Sequence, residues 1–208
     1  MLHNIGKENF LSKSEPIDII CQKLPHWLQD NKLIFDTLRL GDSIPFHVLQ
    51  QYRILENEFF NTHPRPWTEE TYRKYHWEIR SVIDKYIDSG YGACYFKDPN
   101  IRNILITELK RHDGKKYKLY DFVIMPNHIH FLILPSPGED YEKIISNLKK
   151  QTASKINSLI GRKGNLWQRE HFDRIVRSYA NLTEIIQYIA ANPSGLPPNT
   201  YFLSSSNV

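Results

Sequence analysis

The sequence predicts an α+β domain in which an antiparallel sheet carries helices on its faces. Two short apolar runs, 117–125 and 128–134, are separated only by Pro126-Asn127, the signature of an antiparallel hairpin. Stretches with apolar residues at helical spacing alternate with strand-like runs before and after that hairpin. No repeat or linker divides the 208 residues, a length that suits one domain with decorations. Apolar residues at 40% and charged residues at 24% are ordinary globular values and exclude wholesale disorder.

Residues 1–30 are polar and read as an irregular arm. LIFDTLRL (33–40), closed by Gly41-Asp42-Ser43, reads as a first strand. Pro45 opens a helix over 46–60, and NTHPRPW breaks it. A long helical stretch follows from Thr68 to Asp88, ended by Ser89-Gly90. Asp98-Pro99 starts a third helix, 98–112, and Asp113-Gly114 is a turn into the hairpin. Residues 140–160 form a helix with exposed basic side chains, then come a basic loop and a short strand at 173–178. The last helix, 181–192, takes Asn181 as N-cap with Glu184 three residues on, and Pro193 stops it. The expected organisation is an arm (1–30), a domain over 31–196 with a helical insertion at about 46–112, and a flexible tail (197–208).

Two cysteines, Cys21 and Cys94, cannot form a CxxC motif or a disulfide framework, which favours a reducing, cytoplasmic compartment. The N-terminal residues have no apolar signal region, and no apolar run approaches the roughly 18 residues of a membrane span. The net charge of +4 is unevenly spread. Residues 143–177 hold nine basic side chains against Glu170 and Asp173, whereas 1–142 and 178–208 are each slightly acidic. Such asymmetry fits either a polyanion partner or a solvated basic helix face.

His128 and His130 lie in the most apolar part of the chain, FVIMPNHIHFLILP. On a strand both rings project from one face, about 7 Å apart at Cα, while Ile129, Phe131 and Ile133 point the other way. Two such imidazoles either converge on one metal ion or hydrogen-bond at the sheet surface. Tyr188 and Asn192 are four residues apart, hence neighbours on one helical face. The Asn192 amide oxygen is a hard ligand suited to Mg2+ or Mn2+. Tyr188 is then either a hydroxyl held beside that ion or an amphipathic packing residue.

Taken together, YDFVIMPNHIHFLI, NLWQREHFDRIVR and YIAANP resemble the REP-associated tyrosine transposases, which are single-tyrosine HUH transposases (histidine–hydrophobic–histidine). LPHW, LIFDTLRLGDSIP, HPRPW and DSGYGACYFKDP resemble further blocks of one branch of that family, so the likeness spans about residues 24–196. It implies a ferredoxin- or RRM-like sheet with the histidine pair on a central strand and the tyrosine on a C-terminal helix. It also implies cleavage of single-stranded DNA beside hairpins. By position, His128 and His130 match the metal-binding pair, Tyr188 the nucleophile and Asn192 the further metal ligand. Two departures are Ser194-Gly195-Leu196-Pro197, where small and basic residues are usual, and Asp36 in the first strand.

The chemistry asks for these residue types. A cation on a non-bridging phosphate oxygen stabilises charge and orients in-line attack. Generating a tyrosine phenolate at pH 7 costs about 4 kcal/mol from its reference pKa. Attack gives a 5′-phosphotyrosine and a free 3′-hydroxyl, a bond exchange that allows rejoining without ATP. The partner is single-stranded or hairpin DNA. Lys149, Lys150, Arg162, Lys163, Arg169, Arg174 and Arg177 are the candidate phosphate contacts. Trp167 either stacks on an unpaired base or packs in the core. Alternative readings are a rolling-circle-type nickase and a hairpin-binding protein without cleavage.

Overall fold

The computed structural model describes residues 5–12, 14–15, 18–21, 25–64 and 67–204. In place of an irregular arm, the N-terminal region holds a hairpin of β1 (Asp18–Cys21) and β2 (Pro25–Leu28). Ile5 and Phe10 from the same region are buried in the core. Residues 1–4 of the expected arm and 205–208 of the expected tail lie outside the described residues.

The main sheet is built from β3 (Ile34–Arg39), β4 (Tyr117–Ile124), β5 (His128–Pro135), β6 (Phe172–Ile175) and β7 (Phe202–Ser204). Its order is β6-β3-β5-β4-β7, and every neighbouring pair is antiparallel. A helix, α4 (Pro99–Lys110), stands between β3 and β4, and α5 (Tyr141–Leu159) stands between β5 and β6. Four strands and two helices in this sequence and sheet order give the ferredoxin-like arrangement, with β5 at the centre. The 197–208 region is not frayed throughout, because β7 adds to the β4 edge through Phe122–Ser204 and Ile124–Phe202 pairing.

Strand alternation divides the core into two faces. Ile129, Phe131 and Ile133 of β5 join Ile34 and Leu38 of β3 under α4 and α5. Leu132, Phe35 and Val123 face the opposite way, against α6 (Tyr179–Ala191). Each helix starts where the side-chain chemistry allows it. Asp98 accepts from Asn100 N with Pro99 at the first helical position, and Asp140 accepts from Lys143 N. For α6 the cap is Ser178, whose hydroxyl accepts from Asn181 N, so the helix begins two residues before the expected Asn181. The Asn181 side chain donates instead to Glu184.

Asp36 does not mark an edge, since β3 lies between β5 and β6. Its carboxylate is fully buried, accepts from the Tyr141 hydroxyl and lies 3.6 Å from His171 Nε2. The interruption is therefore a buried polar contact on the α5 side of the sheet.

The helical insertion comprises α1 (Phe46–Thr62), α2 (Glu69–Tyr75), a π turn (His76–Arg80) and α3 (Ser81–Asp88). Val48, Phe59, Ile79, Ile83 and Ile87 form its own core, and Phe172 of β6 joins that cluster. Tyr52 and Tyr75 both donate to Glu56 Oε1, at 2.8 and 2.6 Å, which satisfies a buried carboxylate between α1 and α2. Through Phe172 the insertion is fastened to the sheet beside the histidine face.

Candidate active site

His128 and His130 open β5 and point to the α6 side, with ring centroids 4.6 Å apart. Each ring is oriented by a partner on its Nδ1. His128 Nδ1 lies 2.8 Å from Asn127 Oδ1, and Asn127 is itself fixed by donating Nδ2 to the Tyr91 carbonyl. His130 Nδ1 lies 2.8 Å from the hydroxyl of Thr37, its cross-strand partner on β3. Both Nε2 atoms are thereby left facing the site, the arrangement that orients imidazoles for a metal. Burial holds both rings neutral: His128 is pushed down to about 3, and His130 falls well below the usual histidine value with help from the neighbouring ring, Arg174 and Arg80.

Tyr188 projects from α6 over this pair. Its hydroxyl lies 3.3 Å from His130 Nε2, and its ring packs edge-on to His130 and Phe35. Tyr188 is 38% exposed and is among the residues that line a cleft beside the pair. Burial and the carboxylates of Asp88 and Asp84 raise its pKa, while Arg174 and Arg80 act in the opposite direction. Asn192, at the α6 C-cap, sits beside His128 and Asp88 and favours the charged form of each. Asn192 Oδ1 and His128 Nε2 are nevertheless buried without a well-formed hydrogen bond.

Asp88 is the residue that sequence reasoning misses. It ends α3, and its carboxylate lies 3.9 Å from His128 Nε2. Asp88, His128 and His130 each offer a ligand atom within 4.8 Å of the others. Burial and Asp84 raise the Asp88 pKa to about 6, and the Asn192 amide opposes them. The loop after Asp88 is clamped to the sheet: Ala93 N donates to Asp42 Oδ2, and Gly92, at φ +94°, leaves 2.6 Å between a hypothetical Cβ and the Asp42 carbonyl oxygen. Only glycine fits there. In sequence this aspartate is merely the end of a helical stretch, and only the tertiary fold brings it to the histidines.

Two imidazoles, a carboxylate and an amide oxygen suit a hard or borderline divalent cation. The buried, unsatisfied nitrogen of His128 and oxygen of Asn192 are what such an ion would engage. The residues present therefore fit a divalent cation.

A cleft of about 340 Å3 opens beside the tyrosine, walled by Phe35, Arg80, Asp84, Asp88, Phe172 and Arg174. Arg80, from the π turn, lies 3.3 Å over the Phe172 ring, and Arg174 lies 5.0 Å over that of Phe35. Two guanidiniums thus flank the phenol.

The basic segment is not one surface. Arg174 reaches the cleft, and Arg177 lines a groove that adjoins it. Arg169 is exposed on the loop before β6. Lys149 and Lys150 belong to α5, which packs on the sheet face opposite the histidines. Lys149 Nζ donates to the Arg169 carbonyl at 2.6 Å, and Arg162 ties its own loop by bonding the Gly164 and Asn165 carbonyls. Lys163 is exposed on that loop. Trp167 is 6% exposed, packs 5.3 Å from Phe96 and donates Nε1 to Thr152 Oγ1 at 2.9 Å. Its indole is core and has no face open to a base. Trp167→Ala is accordingly expected to destabilise the fold by about 3–5 kcal/mol, read as a lower urea midpoint. An unchanged midpoint with weakened DNA binding would contradict this placement.

An antiparallel sheet that presents two neutral histidines under a helix-borne tyrosine defines a class of site suited to phosphodiester exchange. Residues 99–192, which hold the histidine pair, Tyr188 and Asn192, match the family model described as transposase IS200 like. No curated protein matches the sequence. Among solved structures, the fold is similar to a REP-associated tyrosine transposase bound to a REP hairpin, with a TM-score of 0.46 and 16% identity. That match covers 83% of this chain and 73% of the other.

Proposed function

We propose that the protein is a metal-dependent transposase of the cytoplasm that cuts and rejoins hairpin-associated single-stranded DNA through a 5′-phosphotyrosine on Tyr188. The observation that carries this reading is the 3.3 Å approach of the Tyr188 hydroxyl to His130 Nε2, within a matched transposase segment. His128, His130 and Asn192 would hold the divalent ion, with Asp88 from the insertion as a further ligand. Bound there, the cation supplies Lewis-acid stabilisation of the phosphate under attack.

The chain's own residues account for the rest. Tyr188 Oη attacks phosphorus in line, the P–O3′ bond breaks, and the departing 3′ oxygen takes up a proton. The phenol must first give up its own proton to solvent, at a cost increased by burial and by Asp88 and Asp84. Arg80 and Arg174 offset that cost and are placed to face the anionic strand. Rejoining reverses the exchange, with a 3′-hydroxyl attacking the phosphotyrosine.

Incubation of a labelled hairpin oligonucleotide with the protein across a Mg2+ or Mn2+ titration tests the reading. Metal-dependent cut and rejoined products are expected. Cut product alone would indicate a nickase, and a mobility shift without cutting would indicate a binding protein that does not cleave.

A further inference from the structure

The aromatic platform that Trp167 does not provide is present elsewhere. Trp77, in the π turn between α2 and α3, is 81% exposed, the largest exposure of any described large hydrophobic side chain. Its indole lines an open groove of about 820 Å3 that also takes Arg73, Lys74 and Arg177. Arg174 and Glu184 line both this groove and the catalytic cleft, so the two adjoin. The same π turn places Arg80 in the cleft, three residues after Trp77. A π turn inserted in a helix re-aims side chains and is frequent at functional sites.

We propose that this groove is the path of the unpaired strand that flanks the hairpin. One base stacks on Trp77, and its phosphates run past Arg177 and Arg174 toward Tyr188. This rests on the DNA-cleaving reading above and deepens it by naming the surface that receives the substrate. Three features favour single-stranded nucleic acid as the occupant. An exposed indole offers a stacking face that any base fits, and paired bases cannot present theirs. Cations beside it match a phosphate backbone. Adjacency to the cleft, with Arg174 and Glu184 on the border, puts both within reach of one strand. Glu70, Glu78 and Glu184 share the lining. They disfavour a tightly packed backbone and suit a base-mediated hold at Trp77. The platform belongs to the helical insertion, outside the matched residues 99–192.

Fluorescence anisotropy with a blunt hairpin and with the same hairpin carrying a single-stranded flank tests the proposal. Trp77→Ala should bind the flanked hairpin about tenfold or more weakly, while its affinity for the blunt hairpin stays at the wild-type value. Trp77→Phe should restore most of the loss. Stacking is not driven by counterion release, so the salt slope of Trp77→Ala should match wild type. Arg177→Gln should instead flatten the slope by about 0.7. Equal affinity of wild type and Trp77→Ala for the flanked hairpin would overturn the proposed path while leaving the transposase reading intact. Failure of the wild type to bind either DNA would overturn both. The indole lies at the surface, so unchanged circular dichroism is expected for both Trp77 variants.

Discussion

Tyr188→Phe is expected to abolish covalent attachment of DNA, because it removes the hydroxyl oxygen poised over His130. The substitution keeps the ring, and hence its edge contacts with Phe35 and His130. What it loses structurally is a single 3.3 Å hydrogen bond at a partly exposed site, so the stability cost should not exceed about 1 kcal/mol. A denaturing gel should show an adduct for the wild type and none for the variant, at comparable hairpin affinity. An undiminished adduct from Tyr188→Phe would place the nucleophile elsewhere.

Replacing the histidines should have the second largest effect, read on the metal itself. His130→Ala removes a neutral nitrogen aimed into the site, and titration with Mn2+ is expected to show no saturable binding. Thr37→Val keeps the ligand and removes the partner that orients it through Nδ1, so its Mn2+ affinity should fall about 10–100-fold. This graded pair separates ligation from packing. If His130→Ala binds Mn2+ as tightly as wild type, the rings serve the core and the metal assignment fails.

Much of the sheet was readable because its strands obey local rules. Alternation in HIHFLIL assigns His128 and His130 to one face and Ile129, Phe131 and Ile133 to the other, and the two core clusters divide that way. Asp98-Pro99 and Gly161 bracket α4 and α5 for equally local reasons. What escaped depends on distance along the chain. Asp88 lies forty residues before His128 and reaches it only because the insertion packs on Phe172 and its exit loop is clamped at Gly92. Trp167 and Trp77 are both aromatic residues near basic ones, and sequence alone does not distinguish a buried indole bonded to Thr152 from one left on the surface. The charge run over 143–177 similarly mixes residues from both faces of the sheet, since α5 and β6 project their side chains into different layers. Ser178 displaced Asn181 as the α6 cap because both are good caps, and the chain leaving β6 is extended at Ser178.

The most direct test of the central claim is to determine which DNA end and which residue are joined. The hairpin oligonucleotide is labelled at its 3′ end in one sample and at its 5′ end in another, and each is trapped with the protein and Mn2+ under denaturing conditions before peptide mapping. A 5′-phosphotyrosine intermediate requires that only the 3′ label travel with the protein, with the added nucleotide mass on the peptide containing Tyr188. Transfer of the 5′ label, attachment to any other residue, or cleavage without an adduct would contradict the account.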